Sequence, residues 1–84
     1  MRLPIIKQLV EFIEQNDADY IEETICVLEH LTESSNIKDQ EIDVIGELLS
    51  NLYGAVEVNE AIISGSNKKD ALNEFMQRVK GSIN

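Results

Sequence analysis

The chain contains a single proline, Pro4, and everything after it is free to be helical. Proline breaks a helix because it lacks an N–H and clashes with the preceding turn. At position 4 it does no such damage, since first-turn N–H groups have no partner inside the helix anyway. Beyond it, apolar residues recur at spacings of three and four, as on a helix with one buried face. No stretch alternates apolar and polar residues in the manner of a half-buried strand. The chain reads as all-α, a small bundle of four helices around a long central third helix.

The first helix is expected over residues 4–15. Ile5, Ile6, Leu9, Val10, Phe12 and Ile13 fall on one broad face, and Lys7, Gln8, Glu11, Glu14 and Gln15 cover the other. Asn16-Asp17-Ala18-Asp19 is a break and restart, where Asp17 or Asp19 can accept a bond from the free N–H groups of a second helix. That helix runs over 19–32, with Ile21, Ile25, Leu28 and Leu31 as its stripe. Residues 32–36 form a polar loop, and Ile37 precedes the next cap. The third helix spans 38–63. Its apolar residues cover about half the wheel, so it should be contacted on more than one side. At ~1.5 Å per residue it would extend nearly 40 Å, long enough to bend near Gly54 or to project beyond the bundle. Gly65 is placed as a stop. Ser66 or Asn67 caps a fourth helix over 67–80, with Leu72, Phe75, Met76 and Val79 as its stripe and Gly81 as its end.

Size makes association an issue. A domain of 84 residues buries only roughly 60–65% of its unfolded surface. With one cysteine it has no internal disulfide to supplement that core. Good helix packing, a partner or self-association must make up the difference.

Charge is unevenly spread. Of 16 acidic residues, 14 lie between positions 11 and 60, where Lys38 is the one base. That middle has a net charge of −13, while residues 1–10 and 61–84 each carry +2. The whole, at −9, repels phosphate backbones and anionic membranes, so neither nucleic acid nor membrane is expected as a partner. The basic ends can fold back on the acidic middle or meet it in a second copy. An acidic helix without bases, such as the second, also suits a basic partner. The opening ten residues lack the apolar core and small-residue cleavage site of a signal peptide, so a cytoplasmic location is expected.

Few residues suggest chemistry. Cys26 and His30, the one cysteine and the one histidine, lie four apart on the second helix and so share a face. With Glu22, Glu29 or Glu33 they would make half of a metal or redox site, completed by a second subunit. Against this, structural zinc needs four ligands, and acidic neighbours disfavour a thiolate. Asp17-x-Asp19 lacks the glycine and the closing glutamate of a calcium loop and reads as caps. Gly46, Ser50 and Gly54, spaced by four, form a ridge of small residues. With Tyr53 beside it, this ridge is the candidate interface of a homodimer, or else a site of close packing inside the chain. No cofactor is implied. One histidine, one cysteine and carboxylates at helix-surface positions give no convergent catalytic constellation, so an enzyme is not expected.

Two resemblances bear on the reading. The length, acidity and four helices are similar to an acyl carrier protein, but the Asp-Ser-Leu motif that would carry phosphopantetheine is missing: the loop reads Glu33-Ser34-Ser35-Asn36-Ile37. More of the chain resembles a family of short bacterial proteins of unknown function. The resemblance is carried by Leu3-Pro4-Ile5-Ile6-Lys7, Glu41 to Leu48, Asn51 to Val58, Lys69 to Asn73 and Phe75 to Val79. It implies a stand-alone, soluble helical protein and adds no catalytic residues. The reading that follows is a non-enzymatic module acting through contact with another protein or with a second copy of itself. A redox- or metal-linked accessory role is the alternative, and an acyl-carrier-like role a lesser one.

Overall fold

The computed structural model describes residues 2–83, with side chains over 2–80. It contains four helices: α1 Leu3–Gln15, α2 Ala18–Thr32, α3 Asp39–Ile63 and α4 Lys68–Ile83. Pro4 sits in the first turn of α1, and the Arg2 carbonyl accepts from the N–H groups of Ile5 and Ile6, both at 3.1 Å. α1 ends where Asn16 donates both its main-chain and its side-chain N–H to the Phe12 carbonyl. Asp17 then caps α2 by accepting from the Asp19 N–H at 3.0 Å.

At the start of α3 the Glu41 carboxylate reaches back to the Lys38 N–H, 3.0 Å away, and satisfies one of the free donors of the first turn. Ile37 and Ile42 flank that turn, both half-buried, at the positions of a hydrophobic staple. α3 continues unbroken through Gly54. It stops at Gly65, whose φ of +119° is open to glycine and strained for other residues. There the N–H groups of Gly65 and Ser66 fold back on the carbonyls of Ile62 and Ala61, the pair of bonds that defines a Schellman ending. Asn67 caps α4, its Oδ1 accepting from the Asp70 N–H at 2.8 Å.

The end of α4 differs from expectation. The helix passes through Gly81 and Ser82 to Ile83, instead of stopping at Gly81; Asn84 lies outside the described residues. Glycine inside a helix costs about 1 kcal/mol relative to alanine, which weakens a helix without forbidding it. A glycine ends a helix in the Schellman manner when its backbone turns to positive φ, as at Gly65.

α3 is the hub. α1, α2 and α4 each pack chiefly against it. The core joins Ile6, Val10 and Ile13 of α1 and Ile21 of α2 to Leu52, Ala55 and Val58 of α3 and Ala71, Leu72 and Phe75 of α4. Every contribution from α3 to this cluster comes from Leu52 onward. The first half of the helix lies outside it, with Val44 and Leu48 exposed. Phe12, placed by periodicity on the apolar face of α1, turns to the edge of that face and is 40% exposed. It meets the Tyr20 ring edge-on, with centroids 5.7 Å apart.

The basic C-terminal segment folds back on the acidic middle. Lys68 pairs with Glu14 at 2.9 Å, tying α4 to α1, and Arg78 pairs with Glu57, tying α4 to α3.

Candidate interaction surface

Gly54 owes its place to close packing within the chain. A Cβ built there would lie 2.8 Å from Phe75 Cζ and 3.2 Å from Ile6 Cδ1, so α1 and α4 approach α3 closely at this position. Gly46 has nothing within 4 Å of such a Cβ. Ser50 is half-buried between them. The small-residue ridge is therefore divided: its Gly54 end is core, and its Gly46 end faces open space.

Tyr53 lies outside the core, 46% exposed, and its hydroxyl donates to Glu29 Oε2 of α2. The phenol is raised above its ordinary value, first because this bond favours the protonated form, then through partial desolvation and the Glu29 and Cys26 charges. Cys26 and His30 are both exposed on α2. Among the described residues no three His, Cys, Asp or Glu side chains come together in a way that could hold a metal ion. Asp17, Asp19 and Glu23 do line a shallow hollow with Tyr20, but Asp17 is committed to its cap.

The Tyr53–Glu29 bond marks one flank of the seam between α2 and α3. At 100° per residue, the far side of each wheel from this bond carries Val27 on α2 and Val44 and Leu48 on α3. These side chains are open to solvent: Val27 and Val44 are each 61% exposed and Leu48 44%. Single exposed apolar residues are ordinary, but Val44 and Leu48 are one turn apart on α3, on a stretch whose buried residue Leu49 turns to another face. Periodicity picked out these positions as apolar. It could not show that the other helices leave them uncovered.

Among the described residues one polar residue is fully buried, and the helical periodicity did not single it out. Asn51 is 1% exposed, on the core side of α3. Its Oδ1 accepts from the Arg2 N–H at 2.9 Å, and its Nδ2 donates to the Glu47 carbonyl at 2.9 Å. An asparagine among the apolar positions of α3 is the signal that was present in the sequence.

The whole chain, residues 1–84, matches a family of unknown function (DUF6952). It belongs to that family. No curated protein and no solved structure matches it. For this DUF6952 member, function has to be argued from the surface it presents. No helix among the described residues is long and apolar enough to cross a membrane.

Proposed function

We propose that this protein is a non-enzymatic helical module that acts through protein contact, pairing with a second copy of itself. The observation that carries this reading is the exposure of Val44 and Leu48, one turn apart on α3, and of Val27 on α2. Burying such side chains removes apolar area from water at about 25 cal/mol per Å². A two-fold pairing would place the same stripe of each copy against the other. It would also add to a core that is small for a chain standing alone.

Sedimentation at micromolar concentration tests the proposal. A concentration-dependent dimer is expected for the natural chain. The double variant Val44→Ser, Leu48→Ser should be a folded monomer, since neither side chain belongs to the core. A natural chain that sediments as a monomer throughout would refute self-association. A dimer unaffected by the double variant would move the contact elsewhere.

A further inference from the structure

We propose that the trough between α1 and α4 binds a small amphipathic anion: a carboxylate or phosphate ester bearing a short hydrocarbon body. α1 and α4 both pack on α3 and meet each other only sparsely, which leaves a trough of about 540 Å³ between them. That volume is within the range of about 300–1,000 Å³ typical of small-molecule sites. Its apolar lining is Leu3 and the buried Leu72. Its polar lining is Lys7, Lys68, Lys69, Asn73 and Glu11.

The charge here runs against the rest of the molecule. The trough gathers three of the seven basic residues and one of the sixteen acidic ones, in a chain of net charge −9. Lys68 is already held by Glu14, with Glu11 close to it as well. Lys7 and Lys69 have no carboxylate partner among the described residues. Two unpaired ammonium groups beside a leucine surface suit a ligand with an anionic head and an apolar body. Neither half of that ligand alone uses the whole lining. The asymmetry also separates the trough from the α2–α3 flank, where the exposed apolar residues Val27, Val44 and Leu48 stand on helices whose exposed charges are acidic. The proposal stands whether or not the protein pairs with itself.

The test is a heteronuclear NMR titration of the full chain with octanoate and with octyl phosphate, against acetate and octanol. Octanoate, octyl phosphate or both should give saturable shifts confined to residues 3–11 and 68–73. Whichever head group saturates identifies the source. Acetate and octanol should each bind roughly tenfold more weakly or worse. The double variant Lys7→Gln, Lys69→Gln changes exposed side chains only, so its helical circular dichroism should be intact while affinity falls about tenfold. Three outcomes would overturn the proposal: no saturation with either anion, equal binding of octanol, or an affinity unchanged in the double variant. Shifts centred on Val27, Val44 and Leu48 would also overturn it, since they would mean nonspecific apolar adsorption.

Discussion

Asn51 does the work of a clasp. Its side-chain amide is buried and makes two bonds, one to the backbone that opens α1 and one to its own helix. Replacing it with alanine leaves the Arg2 N–H without its partner in a partly buried place. Such a loss costs on the order of 1–3 kcal/mol, and urea denaturation of Asn51→Ala should show it as a lower midpoint with an unchanged slope. The glycines make a sharper pair. Gly54→Ala gains helix propensity but forces a methyl against the Phe75 ring and Ile6, and Phe75, 3% exposed, has little room to yield. Overpacking of about 1–3 kcal/mol should exceed the propensity gain and destabilise the fold. Gly46→Ala meets nothing within 4 Å and keeps the gain, so it should stabilise by up to about 1 kcal/mol. Thermal melts of the two variants should therefore shift in opposite directions.

At the level of elements, the four helices and most of their ends were legible, and the reasons are local. Asp17, Asn67 and Gly65 act within a few residues of themselves, so cap and stop chemistry reveals them without knowledge of the fold. Gly81 misled because the same residue type serves as a stop only when its backbone turns to positive φ, and sequence does not display φ. The division of the Gly46–Gly54 ridge was equally hidden, since it depends on which helices cross α3 at each level. Likewise, Phe12 and Val44 are apolar at helical spacing, yet what covers them is a tertiary matter. The seam between α2 and α3 carries its own test. The Glu29 bond holds Tyr53 protonated, so the phenol ionises above its ordinary value. Because the folded value is raised, the stabilisation is complete below the usual tyrosine range near about 10 and is lost as pH rises through the raised value. In a Tyr20→Phe background, phenolate absorbance should report Tyr53 alone. Glu29→Ala should bring its titration down toward the ordinary value.

For the whole molecule, the distribution of charge decides how two copies would meet. Each carries −9, and the acids are concentrated on the middle of the chain that includes α2 and most of α3. Apolar contact through that flank works against like-charge repulsion, which salt screens with a Debye length of about 10 Å at 0.1 M. Sedimentation should therefore show tighter pairing as sodium chloride is raised, the reverse of an association held by ion pairs. Pairing that weakens with salt would point to the lysines of α4 meeting acids of a second copy. The hub arrangement has a kinetic side as well. α1, α2 and α4 share their main contacts with α3 and few with one another. The Arg2–Asn51 bond closes a span of 49 residues. No pair of outer helices retains a substantial surface if α3 is absent, so partial structures lacking it have little to hold them. Unfolding should be all-or-none, with helical and tyrosine signals lost together. Substitutions at Ala55 or Val58 should slow folding more than equally destabilising ones in α2, because the central helix must be in place before any of the others has somewhere to dock.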